Sequence, residues 1–215
     1  MEKIQGVIFD LDGVIVSTDD CHYRAWKALA DEEGIYFDRT INERLRGVSR
    51  MESLAIILER AEKTYTEEEK LQMAARKNDR YVELIGALTK DDILPGAMDV
   101  LCWLKENGVK IAIGSSSRNT PIILRQIGLD DFFDAVADGN QITHSKPDPE
   151  VFLLAAEKLG LAPEKCMVVE DADAGVEAAL AGGMRVLGVG SAKDNEKATF
   201  HGETLEKVDI ASIVG

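Results

Sequence analysis

The sequence predicts an α/β protein: a doubly wound, parallel-sheet (Rossmann-like) core with an all-helical cap domain inserted after the first strand. Three observations predict it. Short, largely apolar runs recur at residues 6–9, 110–113, 135–137, 166–169 and 184–189, which suits strands buried on both faces of a parallel sheet. From residue 91 onward those runs alternate with helical periodicity, the pattern of βα units. Between residues 19 and 88, by contrast, helix follows helix and no strand pattern is visible. This order places the core in residues 1–16 and 91–215 and the cap in 17–90, with hinges at residues 14–18 and 89–95.

Gly6 to Phe9 opens the chain as an uninterrupted buried strand, and it ends abruptly in Asp10 and Asp12 with Leu11 between them and Gly13 after. Two acids beside a core cost several kcal/mol unless they are paired or bound to a cation, so this strand end reads as a site where the two share a metal. Residues 19–33 read as a helix, with Asp19 or Asp20 near its cap, Tyr23, Trp26, Leu29 and Ala30 on one face, and Gly34 at its end. Residues 50–63 are a second amphipathic segment with Ser49 as N-cap. Thr66 to Glu69 forms a capping-box start for a long helix to about Leu88.

The character changes again near Asp91. Pro95-Gly96 opens a helix over 97–107, closed by Asn107-Gly108. The strand at 110–113 runs into Gly114-Ser115-Ser116-Ser117, and the helix from Asn119 to Gln126 carries Pro121 in its first turn. Residues 135–137 read as another strand, and Ser145-Lys146-Pro147-Asp148-Pro149 leads into a helix ending at Leu159. The strand at 166–169 ends in Glu170-Asp171 and is followed by a helix to Gly182. Residues 184–189 are the last clear strand, and the tail from Ser191 is polar with no clear element.

Composition narrows the functional classes. A formal net charge of −14 over 215 residues disfavours nucleic-acid backbones, which need a basic footprint. Apolar runs fall short of a membrane helix, and the N-terminus lacks a signal-peptide core. Cys21, Cys102 and Cys166 are widely spaced, which reads as reduced thiols in a cytoplasmic protein.

Ligands of open α/β sheets bind beyond the carboxyl ends of the strands, and four such ends carry polar clusters. Asp10, Asp12 and Asp171 offer hard oxygen donors that suit Mg²⁺ better than zinc. Ser115 and the amides after it open a helix whose dipole favours a phosphate. Lys146 adds a positive charge. Nucleophile, metal ligands, phosphate cradle and charge neutraliser are together the parts of a phosphoryl-transfer site. Singly they are less specific. Glu170-Asp171 alone is equally an acid pair at a helix start, Ser115 to Ser117 alone is more often turn chemistry, and Lys146 alone is a solvated loop lysine. The joint arrangement is what points to phosphoryl transfer.

The stretches DLDGV (10–14), GSSS (114–117), SKPDPE (145–150) and EDADAG (170–175) resemble the four motifs of the haloacid dehalogenase superfamily of phosphotransferases. The helical insertion resembles the cap of the subfamily that carries it after the first motif. Thr18 and His22 with AWKALA (25–30), NERLRGVSRMESL (42–54), ARKNDRY (75–81) and GSSSRN (114–119) resemble the sugar-phosphate mutases of that superfamily.

The resemblance implies Asp10 as the nucleophile that becomes aspartyl phosphate and Asp12 as general acid/base. It implies Mg²⁺ held by the Asp10 carboxylate, the Asp12 carbonyl and Asp171, with Glu170 supporting directly or through water. It implies Ser115, Ser116 and Lys146 around the transferring phosphoryl group. It implies a substrate set of Thr18, His22, Arg46, Gly47, Arg50, Ser53, Lys77, Ser117, Arg118 and Asn119, in which Arg50 grips the distal phosphate and His22 with Lys77 couples substrate binding to Asp12. β-Glucose 1,6-bisphosphate is implied as a cycling intermediate, small-molecule sugar phosphates as the partners, and a monomer as the working form. A Mg²⁺-dependent sugar-phosphate phosphatase and, more remotely, a non-catalytic sugar-phosphate sensor stay open beside the mutase. Departures from the pattern are Ser17 where a second Asp is common, Arg46 and Arg118 where Lys is common, and Ala172 where a polar residue is frequent; the arginines keep charge but change hydrogen-bond geometry.

Overall fold

The computed structural model describes residues 3–46 and 48–215. Six strands, β1 (Gly6–Phe9), β2 (Lys110–Gly114), β3 (Ala135–Ala137), β4 (Cys166–Glu170), β5 (Arg185–Gly188) and β6 (Phe200–His201), form one sheet in the order β3-β2-β1-β4-β5-β6. Every pairing is parallel, with Phe9 opposite Ile113 on one side and Val169 on the other. The order reverses direction at β1, so the switch point of the sheet falls beside Asp10.

Alternation along the strands decides which layer each residue feeds. Val7, Phe9, Ile111, Ile113, Met167, Val169 and Leu187 join a cluster with α5 (Ala97–Glu106), α6 (Thr120–Gln126) and α9 (Ile210–Val214). Ile8, Ala112, Val168 and Val186 pack on the other face against α7 (Glu150–Leu159) and α8 (Asp173–Ala181). Both faces are covered, as a parallel sheet requires.

The inserted block contains α1 (Asp19–Glu32), α2 (Arg39–Glu43), α3 (Arg50–Leu58) and α4 (Glu67–Ile85). It has a hydrophobic cluster of its own around Trp26, Leu29, Phe37, Leu54, Ile57 and Met73. Each such side chain contributes about 1.5–3 kcal/mol on burial. Tyr81 and Ile85, near the end of α4, belong instead to the core cluster. The segments that enter and leave the block touch each other: Val16 bridges to Ile93, and Leu94 N donates to Ile15 O at 2.9 Å.

Several expected boundaries shift. Thr18 occupies the N-cap of α1, and Asp19 and Asp20 stand near the cap as expected, in the first turn, where the helix dipole favours them. The segment expected over 50–63 stops at Leu58, although Ser49 does cap it through a full capping box with Glu52. The Thr66–Glu69 box is present, but α4 ends at Ile85. α2, β6 and α9 had no counterpart in the sequence reading. Cys21, Cys102 and Cys166 are free thiols. Among the described residues no helix is long and apolar enough to cross a membrane.

Candidate active site

The carboxyl ends of β1, β2 and β4 and the loop before α7 converge, as the sheet order dictates. Lys146 Nζ lies 2.6 Å from Asp10 Oδ1 and 3.0 Å from Glu170 Oε1, and all three residues are buried. Burial alone would lower the Lys146 pKa, but the Asp10 and Glu170 carboxylates outweigh it and raise it, so the lysine is firmly charged. Glu170 Oε2 also accepts from the Asp171 and Ala172 amides at 2.8 and 3.4 Å.

One lysine does not balance this cluster. Asp10, Glu170 and Asp171 each place a carboxylate oxygen so that all lie within 4.8 Å of one another. Burial, then neighbouring charge that includes Asp10, pushes Glu170 up to about 7 and Asp171 up to about 8. An under-neutralised set of hard oxygen donors fits Mg²⁺ better than a softer metal. Two glycines make room for these carboxylates. Gly13 has φ +81°, and a Cβ there would stand 2.1 Å from Asp171 Oδ2. A Cβ on Gly175 would stand 1.8 Å from Glu170 Oε1.

Asp12 is held differently. Its Oδ1 accepts from Thr18 N and its Oδ2 from Thr18 Oγ1, both at 2.6 Å, and Thr18 Oγ1 is 2.9 Å from the Tyr81 hydroxyl. The Asp12 side chain is 37% exposed, and it lines the cavity described below. Desolvation by the surrounding protein prevails over the Thr18 hydrogen bonds and pushes its pKa up to about 6, the range in which a carboxylate can both give and take a proton near neutrality.

The turn after β2 is held by its own serine hydroxyls. Ser115 Oγ accepts from Ser117 N and Ser117 Oγ from Asn119 N, each at 3.2 Å, while Lys146 N approaches Ser116 Oγ at 3.5 Å.

These groups line one cavity of about 570 Å³, whose wall takes in Asp10, Asp12, Ser115 to Asn119, Lys146, Glu170 and Asp171 from the core and His22, Arg46, Arg50, Ser53 and Lys77 from the helical block. Thr18 is fully buried behind that wall and acts on it through Asp12. Gly47 lies outside the described residues.

On the helical side, Lys77 Nζ is 2.8 Å from His22 Nδ1 and 4.5 and 4.8 Å from the ring centres of Tyr81 and Trp26. Burial first, then the Arg50 charge, brings Lys77 down to about 7. Burial and the Lys77 charge hold His22 well below its ordinary value. When Lys77 is charged it only donates, and the neutral imidazole then accepts at Nδ1 and carries its proton on Nε2, which faces Asp12 Oδ2 at 4.0 Å. Arg46 Nη1 reaches to 3.9 Å from Asp171 Oδ2, and Arg50 donates to Asn78 at 2.7 Å.

Sequence reasoning missed Asn78 and Tyr81 as site residues. Tyr81 stacks on His22 with ring centres 4.0 Å apart, and its place one helical turn beyond Lys77 was the available signal.

A parallel α/β sheet that gathers acids, a buried lysine and a serine-rich turn at its carboxyl ends, beneath a helical cover, defines a phosphotransferase of the Rossmann-like class. The chain belongs to the haloacid dehalogenase-like hydrolase family, whose model matches residues 4–183. It is 48% identical over 189 residues to the β-phosphoglucomutase of Bacillus subtilis strain 168, covering 87% of this chain and 84% of that one. It is 33% identical over 215 residues to a phosphorylated carbohydrates phosphatase of Thermotoga maritima, covering 98% and 97%. The crystal structure of β-phosphoglucomutase from Clostridium difficile superimposes with a TM-score of 0.91 at 42% identity, over 98% of this chain and 95% of that one.

Proposed function

We propose that the protein is a β-phosphoglucomutase, interconverting β-D-glucose 1-phosphate and glucose 6-phosphate through an aspartyl-phosphate enzyme and β-glucose 1,6-bisphosphate. The observation that carries this reading is the pairing, in one cavity, of a nucleophile site at Asp10 and Lys146 with a second cationic wall at Arg50 and Arg118. Hydrolysis of a monophosphate needs only the first. A bisphosphate that turns over between two ends needs both.

In this reading an Asp10 carboxylate oxygen attacks phosphorus while the bond to the sugar oxygen breaks. Asp12 gives that oxygen a proton, and later takes one from the hydroxyl that attacks the aspartyl phosphate. Ser115, Ser116 and Lys146 hold the moving phosphoryl group. Arg50, Ser117, Arg118 and Asn119 hold the distal phosphate, with Arg46 and Ser53 beside them. Asp10, Asp171, Glu170 and the Asp12 carbonyl would hold Mg²⁺, which when bound neutralises charge on the transferring group. His22 and Lys77 tie distal occupancy to the position of Asp12. Residues 17–90 act as the cap, and its closure on a sugar phosphate excludes water from the aspartyl phosphate.

A sugar-phosphate phosphatase is the second reading, favoured by the Thermotoga maritima relative. The two separate on a panel of sugar phosphates supplied with Mg²⁺ and a trace of β-glucose 1,6-bisphosphate. The mutase reading expects isomerised product from β-glucose 1-phosphate with little free phosphate. Free phosphate across the panel with no isomerised product contradicts it.

A further inference from the structure

Asn78 sits on α4 beside Lys77, half-buried and bonded to two residues of the cavity wall, Arg50 and Asn119. Its carboxamide oxygen accepts two hydrogen bonds, from Arg50 Nη2 at 2.7 Å and from Asn119 Nδ2 at 3.0 Å. Arginine only donates, so this contact decides which end of the Asn78 amide faces Arg50, and in turn which end of Asn119 faces Asn78. One oxygen thus joins α3 of the helical block to the N-cap of α6 in the core.

The charges around that oxygen explain why an amide stands there. Arg50 and Arg118 repel each other, and among the described residues neither makes an ion pair. A half-buried arginine facing another cation swings toward water unless an acceptor holds it. A carboxylate would hold Arg50 more strongly, but it would also cancel the positive field that attracts an anion. A neutral amide oxygen holds the guanidinium and leaves its charge intact.

We propose that Asn78 is a positioning residue of the distal phosphate site: its neutral oxygen ties Arg50 to Asn119, so that both donors stand in place before the sugar phosphate arrives. The proposal rests on the sugar-phosphate reading above. It separates the two things a tether could do. If Asn78 only fastens the helical block to the core, an aspartate at 78 keeps both hydrogen bonds and works as well or better. If it positions Arg50 while preserving its charge, an aspartate fails because it competes with the incoming phosphate.

The test is calorimetric binding of glucose 6-phosphate, with Mg²⁺ and without bisphosphate, to the wild type, Asn78→Ala and Asn78→Asp, alongside kcat and KM for β-glucose 1-phosphate. Two lost hydrogen bonds to a charged and a polar donor predict about tenfold weaker binding in Asn78→Ala, with KM rising more than kcat falls. Asn78→Asp should bind at least as weakly as Asn78→Ala, although its fold is retained by circular dichroism. Wild-type affinity in both variants overturns the proposal, and so does recovery of wild-type affinity in Asn78→Asp alone. Should the wild type itself fail to bind glucose 6-phosphate, the sugar-phosphate reading falls and this role falls with it.

Discussion

The two walls of the cavity are out of balance in opposite senses. On the core wall, Asp10, Glu170 and Asp171 share Lys146, and burial and mutual repulsion raise Glu170 to about 7 and Asp171 to about 8. On the helical wall, Lys77 and Arg50 face neutral partners, His22 and Asn78, and burial brings Lys77 down to about 7. A fold selected for stability alone would pair these charges across the gap. Keeping them apart fits the proposed pair of sites, one for a cation and one for an anion, of a metal-dependent enzyme with a phosphorylated substrate.

The largest expected effect is at the core wall. Asp10→Asn should abolish label transfer to the protein and lower turnover by about 10⁴-fold or more, since it removes the proposed nucleophile. Arg50→Ala should lower kcat/KM for β-glucose 1-phosphate by about 10²-fold, the scale of a lost charge-assisted contact to phosphate. An unchanged value in that variant would mean that the helical wall is not an anion site.

Lys77→Met sharpens the contrast, because it should damage function and improve the fold. The folded pKa of Lys77, about 7, lies below its ordinary 10.5, so the unfolded chain binds the proton more tightly. The fold therefore bears the full cost of the charged lysine below pH 7, and that cost fades as pH rises toward 10. Denaturant melts should show the variant more stable by on the order of 2 kcal/mol at pH 6, with the gain shrinking at high pH.

The acids run the other way. Their folded pKa values lie above the ordinary carboxylate values, so the metal-free fold loses stability as pH rises toward 8. Saturating Mg²⁺, at about 100 times its Kd, should restore roughly 2.7 kcal/mol, more at pH 8 than at pH 5, and Asp171→Asn should blunt the response. The smallest effect is at Thr18. Its hydrogen bonds favour ionised Asp12, so Thr18→Ala should move the ascending limb of the pH–rate profile to higher pH.

The same division between walls governs what was legible in the sequence. Asp10 stands out because a buried strand end has few structural uses for charge, whereas Lys146 and Glu170-Asp171 became legible only jointly, through the parallel order of the strands that brings them to the same edge. The helical wall was readable only through resemblance, since nothing local distinguishes Arg50 from an exposed arginine at a helix start. Asn78 escaped notice because its meaning lies in Arg50 and Asn119, 28 and 41 positions away. α2 spans five residues, and its signal was the single cap Asp38, whose side chain accepts from Ile41 N. β6 is two residues long and owes its pairing to Leu187 and Gly188 beside it rather than to any pattern of its own. The helix after Ser49 was overextended because the residues that follow Leu58 are still good helix formers, and propensity alone does not mark where packing stops.

The most direct measurement of the two-site account is the fate of a labelled phosphoryl group. Enzyme carrying ³²P on Asp10 is mixed with β-glucose 1-phosphate and Mg²⁺, and the products are separated after a single turnover. The account predicts label in glucose bisphosphate and in the glucose 6-phosphate drawn from it, with little in inorganic phosphate. Label released wholly as inorganic phosphate would contradict it.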